Sequence, residues 1–258
     1  MARRKKSKRR RRKGVRFQTL YRLLSVLAIS SAIIMAITLF FRVDAVVIEG
    51  NQRYTEEEVQ LAAGIQAGDN LFLLNKYHVA GGIVEALPYI EEIRIDRIMP
   101  DTISIQVKES LSPLAIVQDG SVWLVSASGK IVDQLPASVA EQYGTISGCQ
   151  LLAPSVGTRI AMDVEYTTRR DALLSIMAAF ENAGLLKDLN AVRLDDLDTV
   201  YVDYANRFTL RLDYGADYPH KLRTLKAALA SGKIQDNMTG TFDMRGNSGK
   251  TNFIQNVR

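Results

Sequence analysis

Residues 87–109 read LPYIEEIRIDRIMPDTISIQVKE, and the fold of the first half of the chain turns on them. Pro88 stops the helix that precedes it. Ile90–Ile98 and Thr102–Glu109 are strand-like runs, with Met99, Pro100 and Asp101 as the link. In the second run Ile103, Ile105 and Val107 alternate with Ser104, Gln106 and Lys108, which marks a strand with one wet face. Upstream, the β-branched run Val43–Glu49 reads as a strand that stops at Gly50 and Asn51. Thr55 and Glu58 have capping-box spacing and open a short helix through Ala62, which Gly64 ends. After the turn at Gly68, Asp69 and Asn70, Asn75 caps a second helix through about Leu87. Gly81 and Gly82 weaken that helix, and Gly82 is a candidate for close backbone approach. The order is β-α-α-β-β in about 70 residues.

Further toward the N-terminus, Leu23–Phe41 is nineteen residues without a charge. At about 1.5 Å per residue such a helix spans roughly 28 Å, the thickness of a bilayer's hydrocarbon core. A buried core helix rarely runs five turns without a polar face. A cleaved signal peptide has a shorter apolar stretch and a small-residue cleavage site, whereas this one ends in Leu39, Phe40, Phe41 and Arg42. An uncleaved, single-pass signal anchor is expected.

The 258 residues carry a formal charge of +5, which suggests nucleic acid until the charge is located. Residues 1–22 hold twelve Lys/Arg and no acid, including Arg9, Arg10, Arg11, Arg12, Lys13, Arg16 and Arg22. The remaining 21 cations face all 28 acids in residues 42–258, so that part is acidic. The cationic flank orients the span with its N-terminus in the cytoplasm and residues 42–258 outside. Topology and attraction to anionic lipid explain the tail without nucleic acid.

A second unit begins near Leu114. Leu114–Gln118, the Asp119-Gly120 turn and Ser121–Val125 form a hairpin signal. Ser128 and Gly129 turn the chain before Lys130, Ile131 and Val132, and residues 135–158 are loop-rich. A helix follows from Thr168 to about Ala183, with Leu173, Ile176, Met177 and Phe180 as a core stripe. Strands are expected over Ala191–Asp195, Thr199–Tyr204 and Arg207–Asp213, a helix over Asp217–Ser231 and a last strand over Thr239–Arg245. The class is α+β. The expected organisation is a cytoplasmic tail at 1–22, a membrane helix at 23–41, domains at 42–110 and 111–246, and a flexible tail at 247–258.

Chemistry is sparse. Cys149 alone cannot close a disulfide within the chain and reads as a small buried residue. His78 and His220 show no nucleophile-and-acid pattern, and no Gly-x-Ser-x-Gly elbow occurs. Gly246–Thr251 ends like a phosphate-binding loop, but Met244 stands where its first glycine belongs. Asp195, Asp196 and Asp198 are expected to be solvated turn residues. No catalytic residue, metal or cofactor is expected.

With these residues in view, the chain resembles the FtsQ/DivIB family of bacterial cell-division proteins. Residues 87–109 are similar to the signature that closes that family's POTRA domain, and Val47–Asn51 to its opening strand. Pro113–Ala115 and the hairpin to Val132 resemble the start of the family's β domain, with Ser126 near where an Asp is usual. Thr241–Arg245 resembles its closing strand, with Met244 for Leu. The resemblance implies a non-enzymatic divisome scaffold. It would bind bitopic coiled-coil partners of the FtsL and DivIC/FtsB type outside the membrane and help control septal wall synthesis. The partner strand would dock at Thr241, Phe242, Asp243, Met244, Arg245, Gly246 and Asn247, and Lys221 would offer it a charge. The alternatives are a POTRA-type secretion or outer-membrane assembly factor and a membrane-anchored cell-wall enzyme.

Overall fold

A computed structural model describes residues 14–246 and 251–256. Helix α1 (Gly14–Phe40) begins before the apolar run. None of the 18-residue apolar window in its segment Thr19–Phe40 is buried. At 22 residues, or about 33 Å, the segment is long enough to cross a membrane, and its lack of burial argues against a core helix. Arg9, Arg10, Arg11, Arg12 and Lys13 lie outside the described residues. Arg16 and Arg22 fall within α1, and Arg22 is exposed.

The first domain has the expected order: β1 (Ala45–Glu49), α2 (Glu56–Ala63), α3 (Lys76–Ala86), β2 (Ile90–Ile98) and β3 (Thr102–Glu109). β3 is central, parallel to β1 and antiparallel to β2. The caps are those the spacing predicts. Thr55 and Glu58 form the reciprocal capping box, and the Asn75 side chain accepts from Tyr77 N–H. Val59, Ala63, Val79 and Ile83 from the two helices pack on Ile48, Ile103, Ile105 and Val107 of the sheet. Two glycines are required by contact. A Cβ on Gly50, whose φ is +87°, would lie 2.1 Å from the Val107 carbonyl oxygen. A Cβ on Gly82 would lie 2.9 Å from the Ala62 carbonyl oxygen, so Gly82 lets α3 press against α2. Gly81 beside it faces open space.

The second domain is one nine-stranded sheet: β4 (Leu114–Gln118), β5 (Ser121–Val125), β6 (Ile131–Pro136), β7 (Thr145–Ser147), β8 (Leu189–Arg193), β9 (Thr199–Tyr204), β10 (Phe208–Asp213), β11 (Gly240–Asp243) and β12 (Asn252–Gln255). Their order across the sheet is β12-β11-β10-β9-β8-β7-β4-β5-β6. Helices α4 (Thr167–Asn182) and α5 (Tyr218–Ala230) cover one face. There Leu173, Ile176, Met177, Phe180, Leu222 and Leu225 pack against Val192, Val202, Leu210 and Phe242. Ser126, fully buried, accepts from Lys130 N–H at 3.1 Å and holds the turn into β6. Two strands differ from expectation. β7 lies in the stretch that reads as loop, because three residues are too few to show a period. β12 lies in the expected flexible tail and is tied to the sheet through Phe253.

The domains do not meet only through a linker. Leu114–Ile116 of β4 and Val122–Val125 of β5 are buried on both faces. Leu114, Ile116, Trp123 and Val125 point into the α4 side, while Ala115, Val122 and Leu124 form a separate cluster with Val132 and Tyr89. Tyr54 of the first domain joins that cluster and stacks edge-on against Tyr89, ring centroids 6.3 Å apart. The Tyr89 hydroxyl donates to Asp133 at 3.0 Å, and Arg53 lies over its ring at 3.7 Å. Burial, then the hydrogen bond to Asp133, pushes the Tyr89 phenol above its ordinary range. Lys130 of the second domain donates to the Ile90 carbonyl at 3.2 Å and the Val84 carbonyl at 3.5 Å. Burial drives the Lys130 amine below its ordinary value, opposed by the charge of Glu91.

The two adjacent glycines of α3 predict opposite outcomes. Gly81→Ala stiffens an exposed helix and should stabilise by up to about 1 kcal/mol, raising the melting midpoint by roughly 2–4 °C. Gly82→Ala gains the same propensity but drives a methyl into the α2 backbone, and should destabilise by about 1–2 kcal/mol net. Thermal melts of the two variants, followed by circular dichroism, check both signs.

Candidate partner-binding edge

The expected docking strand is placed differently from expectation. β11 is not an edge, because β10 pairs with it in parallel on one side and β12 in antiparallel on the other. Phe242 is 1% exposed, opposite Leu210 and Phe253, and Met244 is equally buried. The rings of Phe208, Phe242 and Phe253 form a triad with centroids 4.8–6.2 Å apart. Thr241 and Asp243 lie on the other face. Asp243 accepts from Arg245 at 2.7 Å and from Arg211 at 3.3 Å. The Arg245 hydrogen bond holds the Asp243 carboxyl below its usual range. Asn247 lies outside the described residues. Among the described residues the edge at this end of the sheet is therefore β12, one strand further out than the sequence predicts.

Lys221 also departs from its expected role. It stands in the first turn of α5, 8% exposed, and its amine donates to the Gly246 carbonyl at 2.6 Å. The Gly246 N–H donates to Asp213 at 2.5 Å. Lys221 and Asp213 thus clamp the chain as it leaves β11, and the lysine charge is not presented outward. A lysine at a helix start reads as solvated unless the carbonyl it reaches is known, and that carbonyl is 25 residues away.

β12 comprises Asn252, Phe253, Ile254 and Gln255, with no charge and no proline. Asn256 N–H donates back to the Thr239 carbonyl, and Gly240 N–H to the Arg207 carbonyl. By the alternation of an antiparallel ladder, the inward groups of β12 belong to Asn252 and Ile254, and those of Phe253 and Gln255 point out. At the opposite end of the sheet β6 is covered in part: Ile131 N–H donates to the Thr158 carbonyl, Gly157 N–H donates to the Ile131 carbonyl, and the strand ends in Pro136.

Asp196 accepts from the N–H groups of Asp198 and Thr199, which lowers its carboxyl, and Asp195 accepts from the Ser147 hydroxyl at 2.6 Å. A cavity of about 400 Å³ is lined by Glu165, Tyr166, Thr168, Arg169, Leu197 and Tyr214, without His78, His220 or Cys149. Among the described residues no three of His, Cys, Asp and Glu gather as a metal site. The phosphate-loop-like stretch at 246–251 falls mostly outside the described residues, and a strand, not a helix, follows it.

Cys149 is half-buried, and burial pushes its thiol up to about 11, with Arg169 opposing and Asp195 reinforcing. Only the thiolate reacts, so alkylation of the native protein at pH 8 should be roughly a hundredfold slower than for an ordinary thiol. The rate should climb about tenfold per pH unit toward pH 11, where an ordinary thiol has already levelled off. Iodoacetamide kinetics between pH 7 and 10 measure this. A plateau near pH 9 would contradict the buried setting.

Comparison with known proteins agrees with this architecture. Residues 41–110 match the family "POTRA domain, FtsQ-type". The chain is 27% identical over 159 residues to a cell division protein FtsQ of Syntrophotalea carbinolica, covering 61% of this chain and 54% of that protein. It is 29% identical over 191 residues to a cell division protein FtsQ of Koribacter versatilis, covering 69% of this chain and 52% of that protein. To a cell division protein DivIB of Clostridium botulinum it is 27% identical over 95 residues, 37% of each chain. The matched part thus spans about half the length of these relatives, or less. The three-stranded first domain thus matches an FtsQ-type POTRA domain, and the chain as a whole is similar to the FtsQ and DivIB cell division proteins.

Proposed function

We propose that this chain is a non-enzymatic scaffold of the division machinery. One membrane helix anchors it at the septum, with the basic tail in the cytoplasm and both domains outside. Its second domain takes up a strand from a bitopic coiled-coil partner of the FtsL or DivIC/FtsB type and so helps control septal wall synthesis. The observation that carries this reading is the open, uncharged edge of β12 at the end of a nine-stranded sheet. An edge strand offers a row of unpaired N–H and C=O groups, and strand addition converts them into main-chain hydrogen bonds. Ile254, 55% exposed, gives an incoming strand an apolar neighbour. Lys221 has no part in this surface, since Gly246 takes its hydrogen bond.

Gln255→Pro tests the edge. It removes an outward N–H and leaves the inward ladder intact. Affinity for an extracytoplasmic coiled-coil partner should fall roughly a hundredfold while the melt stays unchanged. Phe242→Pro should instead unfold the sheet end, because that strand is paired on both sides. A folded Gln255→Pro protein that binds at wild-type affinity removes the edge model. Orientation is tested by Val164→Cys in a Cys149→Ser background, since Val164 is 89% exposed. A membrane-impermeant maleimide should label it on intact, wall-stripped cells. Labelling only after the membrane is opened would reverse the assignment.

A further inference from the structure

The membrane-proximal end of the POTRA domain is built around the exit of α1. The chain runs from Phe40 straight into this end. Leu71 N–H donates to the Phe41 carbonyl and Val43 N–H to the Asp69 carbonyl, so residues 41–43 and 69–71 are knitted together. The Asn70 side chain donates to the Ile37 carbonyl at 3.2 Å. Ile37 lies three residues before the end of α1, about 4.5 Å along the helix axis. Phe72 stacks edge-on against Phe41, centroids 4.9 Å apart. The loop after Asn70 therefore reaches back to the level of the last turn of the apolar helix.

The side chains displayed at that level are apolar and open. Leu73 is 77% exposed, Tyr77 91% and Phe72 44%. The β2–β3 turn lies at the same end of the sheet, because Asp44 N–H donates to the Asp101 carbonyl and Arg97 donates to the Leu74 carbonyl. Its Ile98 and Met99 are 52% and 54% exposed. Five large side chains, from the loop before α3, the first turn of α3 and the end of β2 with its turn, thus lie at one end of the domain. A soluble surface does not gather them without a partner. Charge does not explain the cluster, for Arg42, Lys76 and Arg97 there are offset by Asp44, Asp69 and Asp101.

We propose that this end of the POTRA domain is a lipid-binding surface: Phe72, Leu73, Tyr77, Ile98 and Met99 insert into the interface of the bilayer that α1 crosses. The occupant follows from continuity, since Phe41 and Phe72 link the cluster to the helix end itself. The proposal rests on the reading that Thr19–Phe40 spans a membrane. Aromatic rings belong at the headgroup level, and the Lys76 and Arg97 charges beside them are held by the Ile95 and Leu74 carbonyls. With its charges balanced, the surface should need no anionic lipid, unlike a basic interfacial helix.

The test uses the full chain in phosphatidylcholine vesicles, with single cysteines in a Cys149→Ser background carrying an environment-sensitive fluorophore. Leu73→Cys and Met99→Cys probe the surface, Leu39→Cys the span and Val164→Cys the distal domain. Labels at 73 and 99 should be quenched by a shallow nitroxide lipid about threefold more than the label at 164, and be shielded from aqueous iodide. Iodide access at 73 and 99 equal to that at 164, with the label at 39 still in lipid, overturns the proposal and leaves the span intact. A label at 39 open to iodide overturns the span and the proposal together. A label at Tyr77→Cys gives a second reading. Adding Leu73→Asp and Met99→Asp should reduce its lipid quenching to the level at 164, and unchanged quenching counts against insertion.

Discussion

The Glu109 carboxylate holds the molecule's geometry together. It ends β3, is 8% exposed, and accepts from the N–H groups of Gln52, Arg53 and Tyr54 at 2.6–3.1 Å. Three donors on one buried carboxylate satisfy a charge that would otherwise be costly to remove from water. The bonds pin the β1–α2 connection across 55 to 57 residues of chain, and with it they aim Tyr54 and Arg53 at Tyr89. Tyr54 and Tyr89 are the first domain's share of the cluster on the far face of β4 and β5. The junction therefore depends on a contact made wholly within the POTRA domain.

This coupling is written in the second domain's strand patterns. β10 alternates buried Phe208, Leu210 and Leu212 with half-buried Thr209, Arg211 and Asp213, the signature of one packed and one wet face. β4 and β5 instead run apolar and buried through Leu114–Ile116 and Val122–Val125, as strands covered on both faces do. Read alone, those runs state only that both faces are buried. What covers the second face is supplied by Tyr54 and Tyr89, 25 or more residues upstream, and no local pattern announces that. The Lys108–Glu181 contact at 3.6 Å, half-exposed, adds little beside it.

The same division separates what was legible from what was not. Capping-box spacing, the alternation in β3 and the Asp119-Gly120 hairpin are local, and each led to the right element. Lys221, Lys130 and Glu109 act through carbonyls or N–H groups far away in sequence, so their side chains read as solvated surface until the fold brings the partners in. β12 was missed for a related reason. A Gly/Asn/Ser-rich stretch carries tail composition, and the strand is held by one ring, Phe253, that meets Phe208 and Phe242 only in the folded sheet. The candidate edge was therefore read one strand too far inward.

If a partner strand docks as proposed, that ring also decides between two ways of engaging it. Displacing β12 would give the incoming chain the β11 edge, a strand of the same four residues' length. It would also lift Phe253 from Phe242, now 1% exposed, and return apolar surface to water. Burial of a phenylalanine side chain is worth about 1.5–3 kcal/mol, so displacement begins with a deficit of that order unless the partner replaces the ring. Adding outside β12 carries no such deficit, because the outward groups of Phe253 and Gln255 have no ladder partner to give up. The core-facing ring and the outward backbone of the same residue thus favour addition over exchange, and they make the last four-residue strand part of the scaffold and not a placeholder.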